Sequence, residues 1–173
     1  MATAMELIAQ ESTDQTNSII FHQCFSADYD KYYLTYTFGP SSNSDNINLR
    51  VYTGANNTEQ TGSDYETAHL DMNAWGTFSD VNIGTSDALK NFGITHSHAD
   101  SNGGSQVMIY TPYSSTNQTM FFGRNSSYYN DGYERNRINI GRYKTSETVT
   151  GIKIYGSLGG NIREFGATLY GIK

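Results

Sequence analysis

Residues 31–38 read KYYLTYTF, and their polarity alternates with a period of two. Tyr32, Leu34, Tyr36 and Phe38 share one parity, while Lys31, Tyr33, Thr35 and Thr37 share the other. A β-strand sends successive side chains to opposite faces, so this spacing builds one packed face and one wet face. The closing FGATLYGI repeats the pattern with Phe165, Ala167 and Leu169. Both ends of the chain therefore predict core strands of one all-β body.

A length of 173 residues suits about one domain with a real core. Charged residues make up only 16%, Gly occurs 17 times and Tyr 14 times, and Pro only twice. Ser, Thr, Asn and Gly crowd the gaps between apolar runs, which suits short strands and many turns better than helices. Hydrophobic content is low at 36%, and aromatics at 13% offset this because each buries a large area. The low figure also allows core-like faces to be completed by neighbouring subunits. The formal net charge of −6 argues against nucleic-acid binding, which needs a basic stripe. The one basic group, Arg135, Arg137, Arg142 and Lys144, is expected on a wet strand face. Cys24 has no partner for an intrachain disulfide and is read as a small apolar filler in the first core strand. No secretory signal is read at the N-terminus, and no apolar run is long enough to insert into a membrane.

The expected fold is a single β-sandwich, jelly-roll-like, of about ten short strands. These are placed at 5–10, 18–25, 31–38, 47–54, 92–96, 106–111, 119–123, 137–143, 149–155 and 165–172. Residues 1–17 form an N-terminal arm and first strand, and residues 18–173 the sandwich domain. Phe21, Phe25, Leu34, Tyr36, Leu49, Ile154 and Leu169 are expected in the core. Residues 65–75, YETAHLDMNAW, place Ala68, Met72 and Trp75 at helical spacing and leave a short helix open. GSLGGN at 156–161 reads as a hairpin loop between the last two strands.

Residues 94–104, ITHSHADSNGG, are similar to the metal-binding signature of the metallo-β-lactamase superfamily through His96, His98 and Asp100. That family places a histidine where Ser101 stands and draws further histidines from downstream, and no histidine follows residue 98 here. A hydrolytic metal site needs three or four N/O ligands, so no metal, cofactor or catalytic residue is expected. Asp28 with Asp30, or Asp64 with Glu66, could be imagined as a glycosidase pair, but they read as solvated turn residues. Residues 124–137, RNSSYYNDGYERNR, resemble a binding loop, with Tyr128, Tyr129, Tyr133 and Arg135 as partner-contact candidates.

Three stretches carry a family resemblance: SIIFHQCFSADYDKYYLTYTF, INLRVYTGANNTEQTGSDY and VTGIKIYGSLGGNIREFGATLYGIK. Together they resemble a β-sandwich module of tailed-bacteriophage virions, found in tail-fibre tips and in small free-standing virion proteins. The resemblance implies a non-enzymatic protein on the outer surface of the capsid or tail, made in the host cytoplasm. As a decoration or cement protein it would bind the major capsid protein or another virion protein. As a tail-fibre or receptor-binding module it would recognise a host surface glycan or protein. The start at Met1 and the lack of a long shaft favour the first. Tyr33, Tyr52 and Tyr155, at exposed parity, together with low hydrophobic content, suggest a homotrimer.

Overall fold

The computed structural model describes residues 4–42, 45–73, 78–95, 102–128 and 134–173. Thirteen strands run through them: β1 (Met5–Thr13), β2 (Ser18–Phe21), β3 (Lys31–Phe38), β4 (Asp45–Thr53), β5 (Thr58–Glu59), β6 (Tyr65–Asn73), β7 (Phe78–Ser86), β8 (Leu89–Thr95), β9 (Gly103–Tyr110), β10 (Thr119–Tyr128), β11 (Glu134–Tyr143), β12 (Val149–Gly156) and β13 (Phe165–Ile172). No helix occurs among the described residues. A large sheet of eight strands has the order β1-β13-β3-β9-β10-β11-β6-β7. A small sheet of five has the order β2-β12-β4-β5, with β8 also paired to β4. Every pairing is antiparallel, and the two sheets form an all-β sandwich.

The alternation at 31–38 sets the middle of this body. Tyr32, Leu34, Tyr36 and Phe38 are all buried, and β13 lies against β3 with Leu169 directly opposite Leu34. Val107 of β9 faces Leu34 from the other side. Phe21, Leu49 and Ile154 bring the small sheet's inner face to the same core, and Phe25 follows β2 into it. The expected core residues all lie in this cluster.

Polar clasps join the sheets. The backbone at Asn91 takes φ +64°, a left-handed kink inside β8. At the next residue, the buried Phe92 carbonyl accepts hydrogen bonds from Tyr36 Oη at 2.6 Å and Ser105 Oγ at 2.7 Å, both on the large sheet. Tyr65 of β6 reaches across in the same way. Its hydroxyl accepts from the Val51 amide at 3.0 Å and donates to the Gln60 carbonyl at 2.9 Å. The Phe92 ring fills space left by Gly123 and Gly141, where an added Cβ would meet Phe92 at 3.1 Å and Leu89 at 2.5 Å.

Several expectations are corrected. Residues 65–73 are strand β6, because Tyr65, Thr67, His69 and Asp71 alternate inward; Trp75 lies outside the described residues. The second strand stops at Phe21, where Gln23 at φ +50° turns the chain. Cys24 therefore lies beyond that strand, still buried, with its thiol pushed up to about 12 by burial. Residues 156–161 are no hairpin, since β12 belongs to the small sheet and β13 to the large one. Tyr52 is buried, its ring edge-on to His22 and its hydroxyl on Glu59. Arg137 points into the body: its odd parity on β11 is the inner one.

Leu34→Ala and Leu169→Ala are each expected to cost about 2–5 kcal/mol in urea unfolding, as buried leucine truncations do. Gly151→Ala should also lower the midpoint, because its Cβ would lie 2.5 Å from the Phe21 carbonyl oxygen, whereas Gly84→Ala meets open space and should not. A midpoint unmoved by either leucine truncation would contradict this packing.

Candidate functional site

The strand register lines up the outward side chains of the large sheet. Leu7, Tyr170, Tyr33, Met108, Phe122, Ile140 and Ala68 stand in one cross-strand line from β1 to β6. Next to it, Met5, Ile172, Lys31, Tyr110 and Met120 form a second line. Leu7 is 55% exposed, Phe122 48% and Ile140 53%, so the apolar line is open to solvent. Two hollows of about 310 and 360 Å³ lie on its β11–β6–β7 side, and Ile140 lines both. Contiguous apolar patches of this kind mark interaction surfaces on soluble proteins.

Toward the other end of the same strands the face becomes polar. Thr35, Gln106, Arg124 and Ile138 form the next line, then Thr37, Gly104, Ser126, Asn136 and Met72. The small side chains of Gly104 and Ser126 leave a depression of about 630 Å³. Arg124 Nε donates to Gln106 Oε1 at 2.9 Å along its wall. Past Gly104 and Ser126 a second hollow of about 530 Å³ runs to Asn102, Tyr128 and Glu134.

Of the expected binding-loop residues, Tyr128 is the last residue of β10, 40% exposed, at the end of this groove. Arg135 belongs to β11, where its Nε donates to Asn73 Oδ1 at 3.0 Å. Residues 124–128 and 134–137 thus belong to strands β10 and β11, and Tyr129 and Tyr133 lie outside the described residues, as do His96, His98 and Asp100. Arg142 points outward and pairs with Glu66 at 2.6 Å.

Beneath the groove, the inner face is polar too. Asn125, Arg137 and Asp71 are neighbours across β10, β11 and β6, with Asn139 and His69 in the adjacent line. The Arg137 guanidinium grips the Asp71 carboxylate through Nε and Nη2, and its Nη1 donates to the Asn91 carbonyl at 3.1 Å. His69 Nε2 lies 3.8 Å from Asp71. The side-chain amides of Asn125 and Asn139, His69 Nδ1 and Ser127 Oγ are buried with no hydrogen-bond partner among the described residues. Sequence reasoning missed this cluster; its signal was polar residues at inward parity on β6, β10 and β11.

The small sheet's outer face is closed by its own charges. Arg50 donates to Glu59 at 3.0 Å and to Asp87 at 2.5 Å, Lys153 pairs with Glu59 at 3.0 Å, and both cations lie over the Tyr155 ring. Such a network leaves little unsatisfied chemistry to offer a partner.

The buried cluster makes stability depend on pH. Burial alone would raise the Asp71 pKa, but the hydrogen bonds and charge of Arg137 outweigh it and hold the carboxyl below its usual range. Burial, then the Arg137 charge, holds the His69 imidazole below its usual range as well. The Asp71 contribution is present above its unfolded pKa of about 3.9 and lost as pH falls through the lower folded value. Folded His69 resists the proton that the unfolded chain accepts below about pH 6.5, so stability falls from there downward. His69→Gln is therefore expected to reduce the fall in urea midpoint between pH 7 and 5. Arg137→Met should cost about 3–5 kcal/mol by stranding Asp71, and Asp71→Leu added to it should recover much of that. Equal pH dependence with and without His69 would remove the imidazole from this account.

No protein-family model and no curated protein matches the chain. Among solved structures it is similar to the PL-14 alginate lyase from Aplysia kurodai, at 7% identity over 95% of this chain and 81% of that one, with a TM-score of 0.33. It is also similar to the VP2 subviral particle of infectious bursal disease virus, at 10% identity over 99% of this chain and 41% of that one, with a TM-score of 0.16. Likeness at these scores carries no argument about what this chain does.

Proposed function

We propose that this chain is a non-enzymatic bacteriophage virion protein, a capsid decoration or cement protein that docks through the apolar half of the large sheet's outer face. The observation that supports the reading is the solvent-open line from Leu7 through Phe122 to Ile140, which crosses the strands without a covering layer among the described residues. The sequence resemblance to virion β-sandwich modules supplies the setting. The partner is the major capsid protein or another virion protein on the outer surface, and the chain is read as jelly-roll-like in path and homotrimeric in assembly. Cyclic oligomers close by repeating one contact, which suits the threefold positions of a capsid. A second reading, a tail-fibre or receptor-binding module for a host glycan, draws on the polar groove beside Arg124.

Phe122→Asp combined with Ile140→Asp is expected to abolish co-sedimentation with virions while leaving the circular-dichroism spectrum unchanged. Tyr155→Ala on the opposite face should leave attachment intact. Attachment that survives the double aspartate would sink the docking face. Light scattering should give a trimer, and a monomer at high micromolar concentration contradicts that assembly. Purified protein is expected to carry no stoichiometric zinc, and His96→Ala with His98→Ala to shift stability by under about 0.5 kcal/mol. A zinc-dependent rise in melting temperature would instead revive a metallohydrolase.

A further inference from the structure

The polar groove differs chemically from the apolar half beside it, and it deepens the receptor-binding reading on which it rests. Its floor is the centre of a sheet. Gly104 is paired with Thr37 on one side and Ser126 on the other, so the backbone groups there are engaged in the ladder. An extended peptide cannot add to the floor as a strand, which leaves recognition to side chains. Those side chains offer hydrogen-bonding groups on Thr35, Thr37, Gln106, Ser126 and Asn136, while Met72 and Ile138 form an apolar wall and much of the accessible lining is carbon. A volume of about 630 Å³ is that of a small-molecule subsite.

Charge along the groove is uneven. Arg137 contributes to the lining, but its guanidinium is turned inward onto Asp71. Arg124 is held through Nε by Gln106, and its two Nη groups have no partner among the described residues. A guanidinium fixed at one edge with its fork open is set for a planar anion. At the far end Glu134 lines the second hollow together with Tyr128, so a second anion is disfavoured there.

The geometry points to a carboxylated oligosaccharide as the occupant of this groove. The carboxylate sits in the Arg124 fork, ring hydroxyls bond Asn136, Gln106 and the threonines, and the C–H face of the ring lies on Met72 and Ile138. The next ring, neutral, reaches Tyr128.

Titration calorimetry on the full chain tests this with hexuronate and sialylated oligosaccharides, each against a neutral oligosaccharide of equal length. The acidic sugar of at least one pair is expected to bind about tenfold or more tightly than its neutral counterpart, as a charge-assisted hydrogen bond provides. Arg124→Gln should erase that preference, and Ser126→Leu, which fills the floor, should abolish binding of both sugars. Phe122→Asp should leave sugar binding unchanged, so virion docking and glycan binding fail independently. No binding by any probe, equal affinity for acidic and neutral sugars, or affinity indifferent to Arg124→Gln and Ser126→Leu would each overturn the assignment.

Discussion

The Phe92 carbonyl is the hinge of this sandwich. Strand β8 belongs to the small sheet, yet its kink at Asn91 leaves that carbonyl to Tyr36 and Ser105 of the large one. A buried carbonyl without a partner costs roughly 1–3 kcal/mol, so two donors at this point fix where β8 crosses β3 and β9. The ring of the same residue lies over Gly123 and Gly141, where an added methyl group would crowd Phe92 at 3.1 Å or press on the Leu89 side chain at 2.5 Å. One residue thus links β3, β9, β10 and β11 to the small sheet, through a hydrogen bond on one side and a close contact on the other.

Polarity then varies along the strands rather than only across the sheet. On β10 the inner face passes from Phe121 through Gly123 to Asn125 and Ser127, and the outer face from Phe122 to Arg124 and Ser126. Past Thr119, both faces run from apolar residues to polar ones at the Tyr128 end. At the polar end the core is held by the Asp71–Arg137 pair instead of by packed hydrocarbon. A buried ion pair is a weak source of net stability compared with apolar packing. Its presence there, with the Asn125 and Asn139 amides that lack a partner among the described residues, puts a polar stretch of core directly beneath the groove. The polar groove and this structural compromise coincide in one region, the pattern expected if function constrains the core there.

The fold was legible where parity was clean. Alternation over 31–38 and 165–172 identified β3 and β13 and their buried faces, and Leu34 does lie opposite Leu169. It was illegible where polar residues occupy inward positions. In 65–73 the inward set includes Thr67, His69 and Asp71, so hydrophobicity carried no period of two and the apolar Ala68 and Met72 imitated a helix. Strand β7, FSDVNIGTS, is largely exposed and gave no burial pattern to read. Of the expected binding-loop residues, Tyr128 lines the groove, and the rest of its lining follows from strand pairing. The Arg124–Gln106 contact and the line from Leu7 to Ile140 depend on register between strands distant in sequence, which no local pattern encodes.

That register also decides which part of the surface is available for association. A sheet offers a partner either its edges or its faces. The edges of the large sheet are β1, which carries Glu6 and Glu11, and β7, which carries Asp80. Charges on edge strands oppose strand-to-strand addition. The small sheet's face is occupied by the Arg50–Glu59–Lys153–Asp87 network. The large sheet's outer face carries Phe122, Ile140 and Leu7 in the open, although nothing in the strand pattern prevents Thr or Lys at those positions. Exposed hydrophobes along one line are costly to solubility and contribute nothing to the core behind them. Their alignment across strands that meet only in the folded state supports recognition as the role of this face.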